Sequence, residues 1–340
     1  MILPADIGIS SDPFGHLPLT VALERAAEIT TLLEIGSHGR HSLLSRPNRR
    51  SAQGSGLRFT VHGPYWALDT GDPDETRRRA VITTHRRHLE GAAEIGALCY
   101  VVHPDYSAAS RGRHPQALTA LERSLDELRA LQDEYRLPIA IENMPSALTS
   151  HFVAPGDIDL AGLGFCLDAG HAAIAGTLHA FIGDPATVIT HMHLHDNRGR
   201  RDWDDPHLAL GRGVVETRHA LDAARRDHTT AILEMLDEAS VHESIEHLRA
   251  SGLLFAPSDH YPAVPDDRRV TSPAGGRGHG AAGARRPAPR GTLTVDSLKL
   301  GRSAVDQSSE DLMTAQRSST ADGSGCPQGG SAHEELTDTG

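Results

Sequence analysis

The sequence comprises 340 residues with 33 basic and 45 acidic side chains, a formal net charge of −12, and is 38% hydrophobic and 4% aromatic. This is the composition of a water-soluble globular protein, and no apolar run nears the roughly 20 residues of a bilayer-crossing helix, which excludes an integral helical membrane protein. The opening MILPADIGISSDPFGH lacks the basic start and apolar stretch of a secretory leader, and Cys99, Cys166 and Cys326 are too few and scattered for a disulfide framework or a cysteine zinc site, so the expected compartment is the cytoplasm.

Short apolar runs alternate with amphipathic stretches along the chain. Strands are expected at residues 2–9, 32–36, 57–62, 98–103, 138–142, 164–168, 188–195 and 230–234. Helices are expected at 17–30, 74–95, 116–135, 170–182, 216–227 and 241–250, with helix-poor connections after the second and fifth strands. Strand–helix alternation repeated about eight times within roughly 250 residues indicates a single (β/α)8 TIM barrel. The alternative, a doubly wound open sheet, is disfavoured because no glycine-rich phosphate fingerprint follows the first strand.

From Ser258 onward the apolar periodicity stops and a Gly/Pro/Arg-rich and then Ser/Thr/Gly-rich stretch begins. Such a composition buries too little apolar surface to offset the entropy of ordering. The expected organisation is therefore a barrel at residues 1–255 and a low-complexity disordered tail at 256–340, within which residues 291–300 (GTLTVDSLKL) could form a short strand. Residues 1–255 hold 34 acidic and 24 basic side chains. Lys299 is the sole lysine, so Schiff-base chemistry in the barrel is excluded.

In such a barrel the active site lies at the C-terminal ends of the strands. Those ends carry His62 (TVHGPY), His103 (VVHPDY), Glu142 (IAIENMP), Asp168 and His171 (FCLDAGHA), His193 (HMHLHD), Asp205 and His207 (DDPHLALGRG) and Glu234 (AILEM). One histidine at a strand end is more often a hydrogen-bonded surface residue than a ligand. A carboxylate ending a buried strand is harder to dismiss, because it needs a partner or a metal. Every strand from the third to the eighth delivers a metal-ligand type, and several carboxylates gathered without lysine are best reconciled by one or more divalent cations. A mixed imidazole and carboxylate set suits zinc, manganese or iron better than magnesium or calcium.

At these segments the sequence resembles the xylose-isomerase-like TIM barrels, which include the sugar phosphate isomerases/epimerases and the endonuclease IV class of AP endonucleases (AP endonuclease family 2). The resemblance covers residues 1 to about 255. It implies, for the nuclease class, three zinc ions held by His62, His103, Glu142, Asp168, His171, His193, Asp205, His207 and Glu234, with DNA containing an abasic site as substrate. For the isomerase class it implies one divalent ion, zinc or manganese, on Glu142, Asp168, His193 and Glu234. Glu142 and Glu234 then exchange a proton next to a carbonyl of a sugar or sugar phosphate, while His171 orients the substrate or binds a second ion.

Several residues bear on the choice. Tyr65 and Trp66 lie where the nuclease class places duplex-wedging side chains, and the loop at 40–50 (RHSLLSRPNRR) could contact phosphates; both also fit plain packing or a solvated connection. A charge near −10 over residues 1–255 opposes DNA binding, and His195 stands where the nuclease class shows Asn. The favoured expectation is a metal-dependent isomerase/epimerase; the alternatives are an abasic-site endonuclease and a barrel that binds without catalysis. Glu34 is expected either to meet a sugar hydroxyl or to pair with a loop arginine. Arg77, Arg78, Arg79, Arg86 and Arg87 are expected on a solvated face, and Cys99 and Cys166 in the core. Sequence alone leaves oligomeric state open.

Overall fold

A computed structural model describes residues 2–4, 6–104, 115–201 and 205–254. The tail after residue 255, including 291–300, lies outside the described residues. Eight strands close into a barrel: β1 (Ile7–Ser10), β2 (Leu32–Gly36), β3 (Arg58–His62), β4 (Tyr100–Val102), β5 (Ile139–Glu142), β6 (Gly164–Asp168), β7 (Ile189–Leu194) and β8 (Ala231–Leu233). Every neighbouring pair is parallel, and β8 returns to β1 through Ile7↔Ala231 and Ile9↔Leu233.

The strands are short and buried on both faces, which is why they read as apolar runs rather than alternations. Residues turned to the helical layer join one large core; on β7 these are Ile189, Met192 and Leu194. Alternate residues point into the barrel, where Cys99, Val101, Ala140 and Cys166 form a second, small-residue cluster. Burial raises the Cys99 thiol to about 12, so it acts as a small apolar side chain.

Around the barrel lie α1 (Leu19–Ala27), α2 (Arg46–Gly54), α3 (Glu75–Glu94), α4 (Pro115–Tyr135), α5 (Ala169–Ala175), α6 (Leu178–Gly183), α7 (Thr217–Arg226) and α8 (Glu238–Ala250). Among the described residues, no helix is long and apolar enough to cross a membrane. Asp74 caps α3 by accepting from the Thr76 and Arg77 amides, and Asp237 caps α8 through Ser240.

The helices depart from expectation in three places. The connection after β2 is not helix-poor: Ser45 caps α2 and Pro47 sits in its first turn, but its only buried residue is Ala52, so it has no apolar periodicity to read. Its Arg49 is tied to Leu43 O at 2.6 Å and Glu94 Oε2 at 2.6 Å, which engages one arginine of the 40–50 stretch in packing rather than in phosphate contact. The helix expected at 170–182 is two, broken where Gly176 adopts φ 74°. Arg78 is not on the solvated face: it is 1% exposed and bonds to Glu75, Ser124 and Glu127 between α3 and α4.

Candidate functional site

All nine expected site residues lie at the strand ends on one side of the barrel. His62, Glu142 and Asp168 are the last residues of β3, β5 and β6, and His103 and Glu234 directly follow β4 and β8. His193 lies on β7, His171 in the first turn of α5, and Asp205 and His207 in the connection between β7 and α7.

Among the described residues, two groups of four donors form, beside two of three, Glu34–His191–His193 and His62–Glu142–His193. In the first, one ligand atom each from Glu142, Asp168, His193 and Glu234 lies within 4.8 Å of the others. His193 Nδ1 is 3.4 Å from Glu142 Oε1, 3.5 Å from Glu234 Oε2 and 3.9 Å from Asp168 Oδ2. The second unites His171, Asp205 and His207 with His195 under the same limit. Here His171 Nε2 and His207 Nε2 approach Asp205 Oδ2 at 2.8 and 3.1 Å, and His195 Nε2 is 3.7 Å from Asp205 Oδ1. His62 Nε2 and His103 Nε2 both converge on Glu142 Oε2, at 3.2 and 3.3 Å. His62, Glu142 and His193 also meet the 4.8 Å limit, whereas His103 belongs to none of these close-set groups.

The orientation of the imidazoles follows from main-chain acceptors. His62 donates from Nδ1 to Gly63 O, His171 to Asn143 O and His207 to Glu234 O, all at 2.8–2.9 Å. Each ring thereby spends its Nδ1 proton and turns Nε2 toward a carboxylate. A bare lone pair facing a carboxylate is repulsive, so each contact demands a proton or a cation between the two atoms. Asp168 is held as firmly: its backbone pairs twice with the Asn143 side chain, and its Oδ1 accepts from the His171 amide at 2.6 Å and from His195 Nε2 at 3.1 Å. Asp168 Oδ2, His193 Nδ1 and Asp205 Oδ1 remain buried without a hydrogen-bond partner. Buried atoms of this kind are rare unless something fills them, and here they are good donors for a divalent transition ion. The donor set fits such a metal.

Electrostatics separate the two glutamates. Burial alone would raise both, but the fields of His193 and His103 hold the Glu142 carboxyl well below the usual range, whereas Glu234 ends raised by burial. Burial opposes charge on His62, yet Glu142 outweighs it and lifts the ring to about 9; for His207 the Asp205 contact lifts it to about 10. Tyr65 stacks on His103 at 4.9 Å and meets His62 edge-on, while Trp66 beside it is 55% exposed.

Sequence reasoning missed four residues. His195, in sequence only a departure from the nuclease class, joins the second donor group. Glu34 meets neither a substrate-facing surface nor an arginine; it is buried inside the barrel against Thr60, His191 and His193. Asp196 accepts from the amides of Asn197, Gly211, Gly213 and Val215, which pins the loop bearing Asp205 and His207. Asp12, just past β1, faces His38 at 3.5 Å on the rim. The alternation THMHLHD was the readable signal: at period two, His191 and His193 share the inward face of β7 and His195, directly after the strand, follows the same spacing.

A family model described as xylose isomerase-like TIM barrel matches residues 48–251. The uncharacterized protein MJ1614 of Methanocaldococcus jannaschii is 29% identical over 238 residues, covering 68% of this chain and 93% of that protein. A probable endonuclease 4 of Mycobacterium ulcerans is 24% identical over 233 residues, covering 65% and 90%. Among solved structures, a D-tagatose 3-epimerase-like protein superposes with a TM-score of 0.64 at 27% identity, covering 72% of this chain and 96% of the other.

Proposed function

This chain belongs to the xylose isomerase-like TIM barrel family, and on that premise we propose that it is a divalent-metal-dependent isomerase or epimerase acting on a sugar or sugar phosphate. The observation that carries this reading is the convergence of Glu142 and Glu234 with Asp168 and His193 on one buried point at the barrel mouth. These four residues would hold a divalent ion, zinc or manganese, which would supply a Lewis acid for negative charge developing on the substrate carbonyl oxygen. Glu142 and Glu234 reach the same space from β5 and β8. One carboxylate takes the proton from the carbon next to the carbonyl, and the other gives a proton back. Without a bound ion the two differ, Glu142 being held ionised and Glu234 raised by burial; a cation bound between them would favour the ionised form of both. Tyr65 walls the His62 side and limits water. His171, fixed by Asn143 O and Asp205, stands ready to orient a substrate hydroxyl or to hold a second ion.

Glu142→Gln and Glu234→Gln test the assignment. With a ketose panel in deuterated water, the wild-type chain is expected to introduce deuterium beside the carbonyl and each variant to lose this while remaining folded. Retained exchange in both variants contradicts the roles given to them.

A second reading, hydrolysis of DNA at abasic sites, is favoured by one observation: His62, His103 and the His171–Asp205–His207 group offer more donors than a single ion requires. It predicts that zinc-loaded protein cuts an abasic duplex at low salt and that His103→Ala abolishes cutting. No cutting by the loaded protein rejects it.

A further inference from the structure

Beneath the donor group of Glu142, Asp168, His193 and Glu234, β2 places a carboxylate where a barrel interior normally holds an apolar side chain. Glu34 is 1% exposed in a strand whose five residues are all buried. Its Oε2 accepts from Thr60 Oγ1 at 2.9 Å, across the β2–β3 register pair Glu34↔Thr60, and from His191 Nε2 at 2.8 Å. Its Oε1 lies 2.9 Å from His193 Nε2. That last contact is close in distance but lacks the geometry of a full hydrogen bond, so the two atoms meet electrostatically. His191 is fixed from its other side, with Nδ1 3.0 Å from Thr230 Oγ1.

We infer that Glu34 is the positioning residue of the metal centre: by holding the proton of His193 on Nε2, it leaves Nδ1 as the bare nitrogen that faces Glu142, Asp168 and Glu234.

A neutral imidazole carries one N–H. Two lone pairs 2.9 Å apart repel, so the nitrogen beside the carboxylate takes the proton and the other is left to ligate. His62, His171 and His207 reach the opposite tautomer by giving Nδ1–H to main-chain carbonyls. His193 cannot copy them, because its Nδ1 is the nitrogen that points into the donor group. An inward residue on a strand has no free carbonyl within reach of its deeper nitrogen, since strand carbonyls are consumed by neighbouring strands. A side-chain carboxylate one layer below supplies the missing acceptor. The small residues Cys99, Ala140 and Cys166 at this level leave room for it.

The inference rests on reading His193 as a metal donor, but its readouts need no substrate, so failure of the isomerase assignment would leave them intact. The full chain labelled with 15N-histidine, stripped of metal and held at a pH where the His193 ring is neutral, is examined by long-range proton–nitrogen correlation, with His193→Gln identifying the His193 signals. The expected result is a proton on Nε2 in the wild type and loss of that preference in Glu34→Gln, whose amide can offer a donor to the same nitrogen. Zinc affinity, read by competition with a chromophoric chelator, is expected to fall about 10- to 100-fold in Glu34→Gln. Thr30→Val removes a buried hydroxyl just before the same strand; it should lower thermal stability without moving either readout, which separates positioning from bulk destabilisation. A wild-type His193 with its proton on Nδ1 overturns the inference, whether or not the variants fold. So does a folded Glu34→Gln that keeps the wild-type tautomer and zinc affinity.

Discussion

His195 lies flat against His207, ring centroids 3.9 Å apart and planes 14° from parallel, with its Nε2 3.1 Å from Asp168 Oδ1. It therefore touches both donor groups. Its neighbour Gly170 keeps the space open, since a β-carbon there would sit 2.0 Å from the His195 ring. Replacing His195 by Asn should weaken binding of a second zinc ion about 10-fold or more while the first is retained. Isothermal titration with zinc checks this; identical binding curves would show that His195 only packs.

Asp196 organises the adjacent loop. Its carboxylate takes four backbone amides, and its own main chain pairs with Leu208 in both directions. Asp205 and His207 both stand at positive φ, 46° and 44°, a left-handed conformation that Asp and His adopt more readily than most side chains but that still draws on support from the loop. Asp196→Asn should destabilise the fold by about 1–3 kcal/mol and remove zinc uptake by the His171–Asp205–His207 group. Chemical denaturation and metal counting read the two effects separately.

The metal-free protein should lose stability as pH rises. His62 and His207 are lifted to about 9 and about 10 when folded, against about 6.5 unfolded. A raised folded value contributes stability that is complete below the unfolded pKa and disappears as pH climbs through the folded one. Melting temperature of the stripped chain should accordingly fall between about pH 6.5 and 10. Zinc competes for the same nitrogens, so its binding releases protons and its stabilisation should grow over that window. A stripped protein whose melting temperature is flat or rising there contradicts the pairing of these imidazoles with Glu142 and Asp205.

Much of the fold was legible because parallel barrel strands are buried on both faces and leave short apolar runs that end at chemistry-bearing residues. Glu142, Asp168 and Glu234 were found this way, each closing or directly following a buried strand. What the sequence hid has specific causes. Helix α2 buries a single residue and is stabilised by its cap, so no apolar stripe marked it. Arg78 sits among exposed arginines and is distinguished only by Ser124 and Glu127, which approach from another helix. Glu34 resembled any acidic strand residue until closure of the barrel set it beneath His193, a contact spanning most of the domain in sequence.

The most direct test of the central claim, that the convergence around Glu142 is a metal centre, is elemental analysis of the purified full chain prepared without chelators. The account predicts at least one divalent transition ion per folded chain, lost when Asp168 and Glu234 are replaced together by their amides. A folded chain that carries no such ion, and takes up none on dialysis against zinc or manganese, would contradict it.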